Sequence, residues 1–542
     1  MSRSIHVTSS SDSGEGTLRQ AVINANRRPY ATIIIESSVG PTIHLTSGEL
    51  VVTTDLEIVA QCELVIDTES GRIIHVIGPA KVLKLKGITL KDGKAENGGA
   101  VYVESEKHHL ILENTVIHNS VASGSGGAVY TNGSLTLRKS KVHHNTAGQQ
   151  GAGVWAGTRF KSYRSEVSKN VLIGDGYGGG VLVNNGDALL EDSRVVKNTA
   201  PKGSGGGLVV LNGNTTLHSS RISRNSAYNS GGLQQGTGNI TAVNSKIDGN
   251  SSTNDNTGSA GGGGITITKG DVSLTDSQVV DNKTVGMYSG GIVSLVGDVK
   301  VQRSLISGNT NRGPGGGIAM NVGNLIVEES KVINNTGASL GGGIVSFTPE
   351  PGSIRISKSD VSNNVLTNAE TISGTIRSFI EVVTGYLGGL EKHFPKLQEA
   401  LQEVKSKLEP VHQALQKISV KGEKIGGGAV AALLSTNVHI VKSRLSGNFA
   451  GEIVDEKNFP VSALGGAVFS HNATVHIERS DVQCNRTLNF GGGIYNAGHL
   501  SLANSKVLKN TAESGGGVYS KVDFRRVHTT IEHNDPDDVV VV

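Results

Sequence analysis

Gly126-Gly127-Ala128-Val129-Tyr130 opens a stretch that runs through Leu135-Thr136-Leu137 to Ser140, Val142 and Asn145, and its reading decides the fold. The same order returns as Gly491-Gly492-Gly493-Ile494-Tyr495, then Leu500-Ser501-Leu502, Ser505, Val507 and Asn510. Each unit holds three short runs in which apolar residues alternate with polar ones, the period of a strand buried on one side. Gly, Ser and Asn separate the runs, as tight turns require. The last glycine of each cluster falls at 99, 127, 153, 180, 207, 232, 264, 291, 317 and 343, and the series resumes at 428, 466, 493 and 517. A leucine-rich repeat needs a Leu-x-x-Leu-x-Leu register, and a propeller blade needs four strands in about 40 residues. Three strands per unit with no helix between them predict one coil of a parallel β-helix. The fold class is therefore all-β: a right-handed single-stranded parallel β-helix with three strands per coil.

Stacked coils lie ~4.8 Å apart, so equivalent residues form columns. The asparagine keeps the beat at Asn119, Asn145, Asn170, Asn198, Asn225 and Asn250, and onward to Asn534. Such a column predicts a ladder of side-chain amides that satisfies polar groups buried by the turn. Paired glycines admit a backbone path that side chains forbid.

Composition agrees with a long, thin interior. Aromatic residues make up only 4% of the chain, while glycine supplies 74 of 542 residues without a collagen period. A net charge of +3 is close to balance and by itself points to no nucleic acid. Cys62 and Cys484 lie far apart in a linear stack, which predicts neither a disulfide nor a metal site. No cofactor is implied. The N-terminus shows no signal-peptide core, and no run approaches the ~18 apolar residues of a membrane helix.

The repeat is absent from residues 1–35. Thr17 and Gln20 fit a capping box, which predicts a short helix to Asn26 followed by a buried strand at Ile33-Ile34-Ile35. This segment reads as the polar cap that an open repeat stack needs. The β-helix is expected over 36–364 and again over 426–534, with a tail at 535–542. Smaller insertions interrupt it at Ser251–Ala260 and at Phe449–Leu464, the latter with Pro460.

Between them, 365–425 changes to helix formers. Ile372, Ile376, Phe379, Ile380, Val383, Leu387 and Leu390 share one helical face. Leu397, Leu401, Val404, Leu408, Val411, Leu415 and Ile418 step by fours and threes, a heptad seam. The expectation is an α-helical hairpin projecting from one corner, bent near Gly388-Gly389 or Pro395, with Pro410 kinking its second helix. Its seam either closes the hairpin on itself or docks a partner, self-association through 371–418 included.

The segment His6-Val7-Thr8, Asp12 to Val22 and Asn24-Ala25-Asn26 resembles the N-terminal region of bacterial surface proteins with a "CSLREA" leader. The repeat is similar to their β-helix and to chlamydial polymorphic outer-membrane passenger domains; large DNA viruses and phages encode similar rods. The resemblance covers nearly all the chain outside 365–425. It implies a structural or binding solenoid at a cell or virion surface, mediating attachment or assembly with a surface protein or glycan. No export leader and no stretch for an autotransporter barrel accompany it.

Pectinase-like enzymes on this fold carry Asn-Thr-Asp, Asp-Asp and Gly-His-Gly in successive coils; that set is missing, and Asp537-Asp538 is a terminal pair in a turn and a poor catalyst. Aligning the coils on the asparagine puts His118, His144, Lys169, Lys197, Arg224, Gly249 and Asp281 in one column. The residue after the repeat serine reads Lys141, Glu166, Arg194, Arg221, Lys246 and Gln278. Lys169, Lys197, Arg194, Arg221 and Arg224 thus form a basic strip suited to an acidic polysaccharide, against the plainer reading of a solvated strand face. The alternative is a polysaccharide lyase or glycoside hydrolase with Arg221, Arg224, Lys246, Asp248 and Asp281 as its acid/base set. His143-His144 and His108-His109 are expected to point to opposite faces of a strand, and so not to chelate.

Overall fold

The structure is a computed structural model that describes residues 4–28, 30–78, 81–254, 261–286, 288–347, 352–367, 372–419, 426–434, 436–451 and 463–542. Of 372–382, 396 and 415–419 it describes the backbone alone. Most of the Ser251–Ala260 insertion, and the Phe449–Leu464 insertion from 452 through 462 with Pro460, therefore lie outside the described residues. The chain divides into two compact units, Met1–Tyr228 with Gly232–Gln234, and Asn229–Gly231 with Gln235–Val542. Among the described residues no helix is long and apolar enough to cross a membrane.

The first unit begins with helix α1 (Leu18–Ala25), which buries Leu18, Ala21, Val22 and Ala25. Thr17 caps it by accepting from the Gln20 N–H at 3.3 Å. The capping box is only half made, because the Gln20 amide turns to Asn24. Asp12 holds the cap to the following coil: it pairs with Arg19 at 2.7 Å and accepts the backbone N–H groups of Thr46 and Ser47. Burial opposes ionisation of this carboxyl, yet the hydrogen bonds from Ser47, Arg19 and Thr46 bring its pKa down to about 2.

A representative coil has strands at Val129–Thr131, Ser134–Arg138 and Lys141–His143, followed by a two-residue strand at Thr146–Ala147. Each pairs in parallel with its counterpart one coil on: Val129 with Val154, Leu135 with Phe160, Val142 with Val167 and Thr146 with Val171. Inward residues Val129, Leu135, Leu137, Val142 and Ala147 are completely buried. The glycine corner leaves no space: Gly126 has φ +68°, and a Cβ on Gly127 would lie 2.3 Å from the Ala152 carbonyl oxygen.

The expected asparagine ladder is present. The Asn145 amide donates to the Asn170 Oδ1 at 2.9 Å, and Asn170 and Asn198 repeat the bond toward Asn198 and Asn225. A second ladder runs at the preceding corner, where the backbone N–H of Ser140 donates to the Ser165 hydroxyl and that of Ser165 to Ser193. Both corners are thus satisfied away from water.

The second unit carries the same two ladders. Its asparagine ladder crosses the long insertion without a gap, Asn364 donating to Asn448 at 3.1 Å. It ends at Asn534, whose amide donates to Asp538. The insertion forms α2 (Ile372–His393) and α3 (Gln398–Ser419), joined by a 3-10 turn at Pro395–Leu397, so the bend falls at the proline. Gly388-Gly389 stays within α2, and Pro410 lies inside an unbroken α3. Pro410 and Ser406 are on the exposed side, where water can satisfy the carbonyl that proline cannot bond.

The hairpin does not project. Helix α3 lies on the outward face of three first strands, Ile265–Lys269, Ile292–Val296 and Ile318–Val322. Outward residues there are apolar or small: Val293, Leu295 and Ala319 are completely buried, as is Thr268, whose hydroxyl lies 3.2 Å from that of Tyr386. Lys269 pairs with Glu403 at the rim, and Lys405 with Glu391 between the helices. The seam residues Leu397, Leu401, Val404, Leu408 and Val411 are at most 5% exposed. They close the hairpin and its sheet contact, and so are not available as a docking seam. The side chains of Leu415 and Ile418, like those of Ile372, Ile376, Phe379 and Ile380, lie outside the described residues.

Candidate functional site

The third strand of each coil runs from the serine corner to the asparagine corner, and in the first unit its outward side is cationic. The residue before each ladder position turns the corner in the left-handed conformation. At the serine corner these are Lys139 (φ 49°), Arg164 (φ 49°) and Asp192 (φ 48°). At the asparagine corner they are His144 (φ 55°), Lys169 (φ 54°), Lys197 (φ 57°) and Arg224 (φ 54°). Between them Lys141, Glu166, Arg194 and Arg221 stand in register on successive strands.

Across these columns eight cations (Lys139, Lys141, Arg164, Lys169, Arg194, Lys197, Arg221 and Arg224) outnumber two carboxylates, Glu166 and Asp192. Each carboxylate has a cation beside it: Glu166 pairs with Arg194 at 2.6 Å, and Asp192 with Arg164 at 3.9 Å. Among the described residues Lys169, Lys197 and Arg224 are exposed and have no carboxylate within ion-pair distance.

The serine corner also forms a groove of about 530 Å³, lined by Glu113, Arg138, Tyr163, Arg164, Glu191 and Asp192. The Arg138 guanidinium sits 4.9 Å over the Tyr163 ring. A hydrogen bond from Lys84 holds the Glu113 carboxyl below the usual range. Burial, then Lys161, Arg138 and Arg159, push the His109 imidazole down. Burial, then His118, His144 and Lys141, bring His143 to about 4. Both imidazoles are neutral at pH 7, as the surrounding positive potential favours.

The sequence-based strip residues Lys169, Lys197, Arg194, Arg221 and Arg224 all lie on this face. The proposed acid/base set is drawn from both units. Arg221 and Arg224 belong to the first unit, and Lys246, Asp248 and Asp281 to the second. In the second unit Lys246 and Asp248 are first and last in one strand, Asp248 only 8% exposed. Asp281 sits at a left-handed corner (φ 56°) beside Gly308, so it occupies a different column from Asp248.

Two histidine expectations change. Ser120, not Asn119, holds the ladder position, since its N–H donates to the Asn145 Oδ1 at 2.9 Å. His118 therefore pairs with His143, their rings stacked at 5.2 Å, and not with His144. The constant five-residue step from the serine-corner residue, Thr115 to Ser120 and Ser140 to Asn145, would have shown this. His143 and His144 also meet, Nδ1 to Nδ1 at 2.7 Å, because His144 leaves the strand in the left-handed conformation. Among the described residues no three His, Cys, Asp or Glu side chains are grouped to hold a metal ion. Lys139 and Arg164 were missed; the residue before the repeat serine was the signal.

The serine corner of the second unit is ordered differently. Arg303 forms two hydrogen bonds to Asp276, at 2.8 and 3.0 Å, and Lys358 reaches Glu329 at 2.9 Å. The column continues with Lys442 and Arg479, beside a groove of about 540 Å³ that also includes Lys331, Asp360, Arg444 and Asp481.

A family model described as a right handed beta helix region matches residues 72–253, a span that includes the whole cationic face. The chain is a β-helix repeat protein. No curated protein and no solved structure matches it.

Proposed function

We propose that this protein is a non-catalytic β-solenoid that binds an extended acidic polysaccharide along the third-strand face of its first unit. One observation carries the reading. Lys169, Lys197 and Arg224 stack on adjacent coils with no carboxylate between them, an arrangement whose mutual repulsion an anionic ligand would relieve. A solvated face needs no such ordering, and at the second unit's serine corner Asp276 and Glu329 pair with Arg303 and Lys358 on the adjacent coils. Displayed at a cell or virion surface, as the family resemblance implies, such a face would serve attachment.

The test is a titration with a sulfated glycosaminoglycan, a linear polyuronate and an uncharged glucan. Binding to the two acidic polymers that weakens steeply between about 50 and 200 mM salt, with none to the glucan, is the expected result. Salt-independent binding, or equal binding of the glucan, would overturn the reading. The same incubations, followed by ultraviolet absorbance for unsaturated uronides, decide against the lyase alternative if no product forms.

A further inference from the structure

The column of Lys169, Lys197 and Arg224 has a fourth position, occupied by a residue that is charged only on protonation. His144 precedes the ladder residue Asn145 as Lys169 precedes Asn170, and its φ of 55° matches their 54–57°. The backbone N–H of Asn145 donates to the Asn170 Oδ1 at 3.0 Å, which holds the backbone of His144 one coil step, ~4.8 Å, from that of Lys169. All four side chains are exposed. Only the imidazole changes charge over roughly pH 5 to 8.

The partner of this imidazole distinguishes it from a solvated histidine. His143 is half-buried, stacked on His118 at 5.2 Å with planes 7° apart, and meets His144 edge-on at 5.0 Å. The two Nδ1 atoms lie 2.7 Å apart, so one carries a proton and the other accepts it. Burial, then His118, His144 and Lys141, hold the pKa of His143 at about 4, so that ring stays neutral in a mildly acidic medium. An added proton therefore goes to His144, whose Nδ1–H donates to the neutral ring, and a hydrogen bond made by the charged form favours that form.

The surrounding charges set the sense of the coupling. Lys141 on the same coil and Lys169 on the next oppose a positive His144. Lys91, in register with His118, is held by Asp67 and Asp92 at 3.4 and 3.6 Å. Glu166, in register with Lys141, is taken by Arg194 at 2.6 Å. An anion laid over the column reverses the opposition, so protonation and binding strengthen each other. We infer that His144 is a protonation switch on the binding face, becoming a fourth cation beside Lys169, Lys197 and Arg224 as pH falls, with His143 as the neutral acceptor that orients it. This rests on the polyanion reading above and adds its regulation.

The experiment is titration of the full chain with a sulfated glycosaminoglycan, whose own charge is constant, at about pH 5.5 and about pH 8. Affinity about threefold higher at the lower pH is expected, with net proton uptake in calorimetry run in two buffers. His144→Gln should remove both the gain and the uptake, and His144→Lys should hold the tighter affinity at either pH. His143→Phe keeps a ring against His118 but removes the acceptor, and should shrink the gain. His218→Gln, at an exposed histidine outside the column, should leave the gain intact. Absence of binding at both pH values would remove the polyanion reading and the switch with it. Binding with equal affinity at the two pH values, or a gain that survives His144→Gln, would overturn the switch and leave polyanion binding standing.

Discussion

Two outward faces of this molecule use the same coil in opposite ways. In the second unit, the first-strand face carries Val293, Leu295 and Ala319 outward and is covered by α3. In the first unit, the third-strand face carries Lys169, Lys197 and Arg224 outward and is exposed. A solenoid fills its interior with inward residues alone, so the outward positions are free to vary. Where they are apolar, the chain supplies its own cover; where they are like-charged and exposed, water and counterions screen them and an anionic ligand is free to approach. The second unit's serine corner marks the intermediate case, with Asp276 beside Arg303 and Glu329 beside Lys358 balancing charge within the column.

The covered face breaks most easily from the helix side. Leu401→Glu puts a carboxylate at a fully buried position and should cost about 3–5 kcal/mol, with new binding of a hydrophobic dye to the second unit. Polyanion binding should persist at temperatures where the first unit remains folded. Next in size, Asn198→Ala removes an amide that donates to Asn225 and to the Val167 carbonyl and accepts from Asn170, all within the first unit. A loss of about 2–3 kcal/mol is expected in thermal unfolding, together with weaker polyanion binding, because the ladder sets the register of Lys197. A change in stability alone would detach the ladder from the cationic column.

Asn321→Leu sharpens the picture of the covered face. Asn321 is completely buried on the outward side, and its amide finds no well-aligned hydrogen bond, only the Tyr288 hydroxyl nearby. Its neighbour Tyr288 is also buried, which pushes the phenol well above its usual range while the nearby Asn321 amide acts the other way. The leucine should raise stability by about 1 kcal/mol, read as a higher midpoint in denaturant. The smallest effect belongs to the N-terminal cap. Because the Asp12 carboxyl is depressed from 3.8 to about 2, its contribution is present above pH ~3.8 and fades as pH falls toward 2. Asp12→Asn should flatten that part of the acid-unfolding curve.

Much of this was legible from spacing. Glycine pairs, Leu-x-Leu and asparagine are repeated because they occupy a corner, the interior and a ladder, and those roles do not depend on distant sequence. The cationic face was partly legible for the same reason: counting back from Asn170, Asn198 and Asn225 reaches Lys169, Lys197 and Arg224 directly. The placement of α2 and α3 was not read. The signal lay in the coils rather than the insertion, since Ile292-Val293-Ser294-Leu295-Val296 lacks the alternation of Val129-Tyr130-Thr131 and so marks a strand buried on both sides. The histidine contacts were out of reach of period-2 reasoning, because the residue before each ladder position leaves the strand geometry.

Lys197→Glu puts the division between the two faces to its hardest test, because it gives the first unit's column the alternating charge of the second unit's corner. Titration with polygalacturonate and a thermal scan of the same sample supply both readings. Affinity should fall at least about tenfold at low salt, while the midpoint stays equal or rises as the introduced carboxylate meets Lys169 and Arg224 across adjacent coils. Unchanged affinity with the same salt dependence would contradict the assignment of this face as the one that binds.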